Sequence, residues 1–429
     1  MRKMRDSGIE WVGAIPQDWQ LSKIGSLYTQ RNEKVSDKDY QPLSVTMQGI
    51  LPQLATAAKT DDGDNRKLVR AGDFAINSRS DRRGSCGISP LDGSVSLINI
   101  ILTPRTAMHP GYYNWLFHTT LFADEFYKWG HGIVADLWTT RWQEMKSITV
   151  PVPEYAEQER IAAFLDAECA EIDAVLEKTR ASIEEYKKLK QAVITQAVTK
   201  GIRGDRPMKD SGIEWIGDIP AEWRKTQLRH CAAIKSGITL GKKYEKTDSL
   251  VERPYLRVAN VQDGYVDLSV LTTIEVTQDE DLKYRLRAGD VLMTEGGDRD
   301  KLGRGCVWHG EIEPCLHQNH IFAVQTSKDT LLPEFLEYLT VSDVGRSYFD
   351  VTAIKTTNLA CTSSSKVLAF TIPLPSVEEQ VEIVEALNTK CAGIDALVAK
   401  KQQYLTEIEN YKKSLIYEYV TGKKEVHPL

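Results

Sequence analysis

A stretch of fourteen residues occurs twice in this chain. Asp6 to Trp19 reads DSGIEWVGAIPQDW and Asp210 to Trp223 reads DSGIEWIGDIPAEW, with ten identities at an offset of 204. A repeat of this extent restricts the chain to architectures made of two homologous halves. Further matches follow in order. Arg70-Ala-Gly-Asp73 returns as Arg287-Ala-Gly-Asp290, and Asn99, before an apolar run, returns as Asn319. Pro151-Val-Pro153 returns as Pro373-Leu-Pro375, after which the offset holds at 222 through Glu157-Gln158 with Glu379-Gln380 and Ile172-Asp173 with Ile394-Asp395. A growing offset that then stops marks a tandem duplication whose insertions lie in the first part of the second copy.

Each half contains two kinds of sequence. The first kind has short apolar runs, such as Val95–Leu102 and Ile321–Thr326, between Gly, Asp and Asn turns. Helical spacing appears near Tyr112–Lys128 and Pro333–Tyr348. These parts read as α+β globular domains over residues 1–155 and 203–375. The second kind covers residues 156–202 and 376–429. There Ile161, Leu165, Ile172, Val175, Thr179, Ile183, Tyr186, Leu189, Val193 and Ala197 step at close to 3.5 residues. Ile383, Leu387, Ile394, Val398, Leu405, Ile408, Tyr411, Leu415 and Tyr419 repeat the pattern. Each stretch predicts a helix of about 40 residues, roughly 60 Å long. Pro153 and Pro375 precede the helices, and Gly201 and Gly422 end them. Two long helices with homologous narrow stripes are expected to pair as an antiparallel coiled coil, giving a pseudo-twofold duplicated molecule.

Composition narrows the function classes. Mean hydropathy is −0.35 and no run is long and apolar enough for a membrane helix, so no membrane partner is expected. The N-terminus has no apolar signal core, and seven cysteines without a C-x-x-C pair fit a reducing cytoplasm rather than a disulfide framework. Net charge is −6, from 54 basic and 60 acidic residues, so a nucleic-acid surface must be local if it exists.

Catalytic motifs are weak. Gly237-Ile-Thr-Leu-Gly241-Lys242-Lys243 is one residue short of a Walker A loop and reads either as a basic glycine loop for DNA phosphate or as a surface turn. No G-x-G-x-x-G follows a strand, and no cofactor is expected. Cys306, His309, Cys315, His317 and His320 have spacings that invite zinc, against the alternative of a hairpin formed by Cys306-Val-Trp and Ile321-Phe-Ala-Val. Asp136 with Glu144-Met-Lys146 matches the loose pattern of magnesium-dependent nucleases, against a solvated strand edge.

Basic loops are more informative. Asn77-Ser-Arg79-Ser-Asp-Arg82-Arg83-Gly84 follows the run Gly72–Ile76, and a segment with Arg299, Lys301 and Arg304 follows Gly289–Met293. Both halves thus place a Gly/Arg loop after the same strand, with different sequences. Arginine suits bidentate guanine readout and phosphate contact. Lys128 and Arg141 in the first half, and Lys242, Lys243 and Lys355 in the second, complete the candidate DNA-binding set. Trp11, Trp19, Trp215 and Trp223 are the same in both halves and cannot distinguish two DNA sequences. They read as packing residues that anchor each domain to a helix. Base-reading residues are expected where the halves differ.

The repeated DSGIEW-x-G-x-IP-x-x-W, the two RAGD segments, P-x-P-x-x-x-E-Q before each helix, and the YKK and VTKG/VTGK helix endings resemble the DNA-specificity subunit of Type I restriction-modification systems over essentially the whole chain. The resemblance implies two target recognition domains, each reading one half of a bipartite, asymmetric double-stranded DNA site. It implies helices that set the spacing and dock two modification methyltransferase subunits, to which restriction–translocase subunits add. It implies no catalysis by the subunit itself. The alternatives are a stand-alone magnesium-dependent nuclease and a coiled-coil scaffold without DNA function.

Overall fold

The computed structural model describes residues 2–53, 63–132, 138–245, 248–297, 302–355 and 360–426. The chain divides into two compact units, Met1–Arg180 with Gln403–Leu429, and Ala181–Gln402. The two long helices, Tyr155–Lys200 and Val377–Val420, each contribute one end to each unit. Among the described residues no helix is long and apolar enough to cross a membrane.

In the first unit a four-stranded antiparallel sheet runs Cys86–Ile88, Phe74–Asn77, Asn99–Pro104, Tyr28–Arg31. Its buried face carries Phe74, Ile76, Cys86, Ile100 and Leu102, and helices Pro110–Phe117 and Thr120–Lys128 pack there through Tyr113, Phe117, Phe122 and Phe126. The expected strand Val95–Leu102 is in fact two strands. Gly93–Val95 pairs with Arg66–Val69, and Asn99–Pro104 belongs to the main sheet. Asn99 donates to the carbonyl of Ser96, 3.0 Å away, closing the turn that divides them.

The second unit repeats the plan. Gly305–Val307, Val291–Thr294, Ile321–Thr326 and Ala232–Ser236 form a four-stranded sheet in the corresponding order, covered by helices Pro333–Val341 and Asp343–Thr352. Gly305–Val307 and Ile321–Thr326 do not form a hairpin with each other, because both pair with Val291–Thr294 between them.

The repeated motifs explain these frames. In each RAGD turn the aspartate side chain accepts from the arginine N–H three residues back, at 2.9 Å for Asp73 and 3.0 Å for Asp290. Gly72 and Gly289 sit at φ +89° and +95°, a region that disfavours side chains. Both aspartates are buried; Asp73 binds Arg31 and Thr103, and Asp290 accepts from Gln325. RAGD therefore starts the central strand and takes no surface role.

Within each unit the helix ends pair antiparallel. In the first, Arg180 meets Glu409 at 2.5 Å, Lys412 meets Asp173 at 2.6 Å, and the rings of Phe164 and Tyr419 lie 4.4 Å apart. In the second, Lys190 meets Asp395 at 2.7 Å and the Lys401 ammonium lies 5.7 Å from the Tyr186 ring centre. The buried stripe differs in part from the expected one. It runs through Leu176 and Ile194, whereas Val175, Leu189 and Tyr411 are exposed. Buried Ala162, Cys169, Leu176 and Ile183 step by seven, so the stripe keeps the 3.5-residue period, and the expected Val175 and Leu189 fall one position outside it.

Trp19 and Trp223 join domain to long helix within each unit, whereas Trp11 and Trp215 pack on Phe122 and Tyr348 of the domain helices. Trp19 donates its indole N–H to Glu157 at 2.9 Å, and Trp223 donates to Glu379 at 2.9 Å. Arg2 pairs with Glu157, and Arg206 with Glu379 at 2.5 Å. Trp11, Trp19 and Trp223 are buried. Gln158 and Gln380 each bridge the start of a long helix to the loop before a domain helix, accepting from His109 N–H and Leu332 N–H. The sequence identity of the opening motif thus reflects a repeated mechanical joint.

Candidate nucleic-acid interface

In the first unit the basic loop begins where Asn77 ends its strand. Asn77 is buried, and its side-chain oxygen accepts from Arg79 N–H at 3.0 Å. Tyr127 donates its hydroxyl to the carbonyls of Asn77 and Arg82 at 3.1 and 3.3 Å, fixing both ends of the turn Ser80–Arg82 to a domain helix. Asn77 is therefore a loop-former first.

The arginines of this loop have different situations. Arg79 is exposed and its backbone bridges to Thr139. Arg82 is 69% exposed and its only carboxylate neighbour among the described residues is Asp81, 3.7 Å away. Arg83 is anchored: it pairs with Asp124 and lies 5.8 Å from the Tyr127 ring centre. Lys128 reaches Glu10 at 3.4 Å and Glu125 at 3.8 Å, and Arg141 is exposed at the start of helix Trp142–Met145. Arg82 and Arg83 line a cleft of about 670 Å³ with Arg66, Asn77, Asn99, the strand Leu43–Thr46 and Met47. Arg66, which the sequence reading passed over, is buried and hydrogen-bonds Ser94. A lone arginine inside a strand offers no pattern by which to single it out.

In the second unit Lys242 pairs with Glu280 and lies 5.4 Å from the Tyr244 ring centre; the bond from Glu280 raises its pKa above the usual lysine value. Lys243 is exposed. Arg304 is mostly covered and sits 3.9 Å from Asp263, which also faces Arg346 at 3.7 Å. Lys355 falls in the short strand Ile354–Lys355. Arg299 and Lys301 lie outside the described residues.

Neither alternative chemistry gains a site among the described residues. Cys306 and Cys315 are buried in an apolar cluster, His317 is buried in a strand, His320 pairs with Glu295 and His309 is exposed. Among the described residues no group of three or more metal-ligating side chains lies together. Glu144 accepts from Arg141 N–H as a helix cap, Lys146 bonds Gln143, and Asp136 lies outside the described residues.

No family model matches the chain. It is 22% identical to the Type I restriction enzyme EcoKI specificity subunit of Escherichia coli, over 96% of this chain and 90% of that one. It is 24% identical to the MjaVIII specificity subunit of Methanocaldococcus jannaschii, over 97% and 95%. Against the putative MjaX specificity subunit of the same organism the figure is 25%, and there the match spans about half of each chain (48% and 47%). The fold resembles a chain from a study of complex assembly and conformational transition in the Type I restriction-modification system, with TM-score 0.72, 16% identity, and 96% and 99% coverage. It also resembles the HsdS subunit from Thermoanaerobacter tengcongensis, with TM-score 0.53, 17% identity, and 96% and 98% coverage. Two α+β frames on two long paired helices, and alignment along nearly the full length, are what this chain shares with Type I restriction enzyme specificity subunits.

Proposed function

We propose that this chain reads a bipartite, asymmetric double-stranded DNA site and directs modification methyltransferase and restriction–translocase subunits to it, without catalysing a reaction itself. One observation carries the reading. The two units share sheet order, RAGD turn and tryptophan–glutamate joint, yet the loops after the shared central strand differ in sequence, Arg79–Arg83 in one and the segment ending at Arg304 in the other. A repeated frame with unlike basic loops suits two unlike half-sites. Phosphate contacts by exposed arginine and lysine supply affinity, and base-edge contacts supply sequence. The long helices act as spacer and as the docking surface for two methyltransferase subunits, in the cytoplasm.

The experiment is co-expression with the cognate methyltransferase and mapping of modified bases in the host genome. Arg82→Ala is expected to weaken binding through one half-site and Lys243→Ala through the other. A base-specific contact is worth ~1–3 kcal/mol, whereas a phosphate contact affects all sequences alike and lowers the salt slope by about one. Unchanged affinity in both variants removes these loops from the interface. Magnesium-dependent cleavage by the purified chain alone would support the nuclease reading instead.

A further inference from the structure

In the first unit the hairpin Leu43–Thr46/Gly49–Pro52 forms a two-stranded sheet of its own, and its first strand with Met47 lines the same cleft as Arg82. Its tip is held in place. Thr46 donates its hydroxyl to the Gly49 carbonyl at 2.9 Å and accepts from Gln48 N–H at 3.1 Å. Gly49 sits at φ +102°, and its Cα lies only 2.9 Å from where a side chain on Gly87 would begin, so the tip rests directly on the main sheet. On this fixed tip Met47 is 72% exposed, and Gln48 beside it is exposed as well. Single exposed apolar side chains are ordinary on protein surfaces; Met47 is set apart by lining the cleft that also holds Arg82.

The second unit has a counterpart. After the strand Leu250–Leu256 a turn closed by Val261 and Val266 presents Gln262, Asp263, Gly264 and Tyr265. Gly264 has φ +77°, Tyr265 is 59% exposed, and Asp263 faces Arg304 and Arg346. Each unit thus sets a glutamine and an exposed large side chain on a glycine turn near the arginine of its basic loop. The residues differ between units, as readers of unlike half-sites must.

We infer that these turns are base-reading elements, and that Met47 and Gln48 read an A·T pair in the half-site bound by the first unit. The inference rests on the DNA-binding reading above. A two-stranded ribbon fits the major groove, where a glutamine amide pairs with N6 and N7 of adenine and an apolar group meets the thymine methyl. In the cleft beside the tip Arg66 is buried against Ser94 and Arg83 is paired with Asp124, which leaves exposed Arg82 as the cation available to the DNA backbone. Tyr265 plays the corresponding part in the second unit.

The test uses the full chain assembled with its methyltransferase. The wild-type site is mapped first from genomic methylation. Competition binding then compares duplexes that each carry one base-pair substitution in that site. Gln48→Ala is expected to lose about fivefold or more of the discrimination at one A·T position of one half-site, leaving the other half-site unchanged. Met47→Ala loses discrimination at the same position or its neighbour, and Tyr265→Ala at a position in the opposite half-site. Equal weakening on every duplex overturns the inference and makes the tip a backbone clamp; unchanged discrimination in all three variants also overturns it. A wild-type complex with no mapped site overturns the DNA-binding reading itself, which separates the two failures.

Discussion

Truncating Glu379 to alanine is expected to release the second domain from its helix. The Glu379 side chain is 4% exposed and that of Arg206 10%, with 2.5 Å between them. The same carboxylate accepts the Trp223 indole N–H at 2.9 Å, and the Arg206 guanidinium lies 5.1 Å from the Trp223 ring centre. Breaking one side of a buried ion pair costs ~3–5 kcal/mol, because a charge is left in a poor medium. Here Arg206 keeps Glu222 at 3.1 Å and the Lys200 carbonyl at 2.8 Å, which favours the lower end, while the orphaned indole adds about 1 kcal/mol. A loss of about 3–4 kcal/mol corresponds to a fall in melting temperature of roughly 6–15 °C for a domain of this size. In the first unit Arg2 and Glu157 are more open, at 18% and 14%, so Glu157→Ala is expected to cost less, about 2 kcal/mol. Calorimetry, with hydrogen exchange to assign each transition to its unit, measures both. Arg206→Met combined with Glu379→Leu is expected to recover much of the loss, since packed apolar groups can replace a buried pair. A Glu379→Ala melting temperature within 1–2 °C of wild type would refute the joint as a main fastening.

Three further expectations follow from the same geometry. Trp19→Phe is expected to cost at least ~1 kcal/mol more than Trp11→Phe in denaturant unfolding, since the Trp19 indole serves Glu157 whereas the Trp11 indole N–H has no partner among the described residues. Burial, with Glu334 and Asp263 adding to it, pushes Glu337 up to about 7 from an ordinary 4.5. Its folded state therefore holds the proton more tightly, and the stability it contributes is lost as pH rises from about 4.5 through 7. Glu337→Gln should gain stability relative to wild type across that window; comparing the two also cancels the opposite slope of His317, pushed down to about 4 by burial. Inserting four residues after Val175 alone shifts Arg180 by ~6 Å past Glu409 and is expected to destabilise the first unit. Matching insertions after Val175 and Asn410, which lie opposite each other in the antiparallel pair, keep Arg180 with Glu409 and Asp173 with Lys412, and are expected to lengthen the DNA spacer by one or two base pairs and leave both half-sites unchanged, as methylation mapping would show.

The parts of the fold legible in the sequence were those with local signals. Apolar steps of three and four, bounded by Pro153 and Gly201 or by Pro375 and Gly422, marked both long helices. The helices span Tyr155–Lys200 and Val377–Val420, a few residues longer than expected. A period count cannot separate Val175 from Leu176, because a 3.5-residue step from Ile172 falls between them and both are apolar. Strand pairing is non-local and was less legible: Cys86 and Cys306 lie on sheet edges whose partners, Ile76 and Leu292, cannot be named from spacing. The candidate interface divided in the same way. The Gly/Arg loops stood out by composition, but the pairing of Arg83 with Asp124 and of Lys242 with Glu280 joins residues about forty positions apart, and no local pattern separates such anchored cations from exposed Arg82. A single methionine in a polar stretch such as Met47 carries no local pattern; its place on an ordered turn beside the Arg82 cleft distinguishes it.

The most direct measurement is genome-wide methylation in cells that express this chain with its methyltransferase, before and after residues 1–153 are exchanged for those of another family member. Two unlike reading units predict one asymmetric bipartite motif, of which the exchange rewrites one half and leaves the other and its methylated base in place. Loss of both halves, retention of both, or methylation without a motif would contradict the assignment of one half-site to each unit.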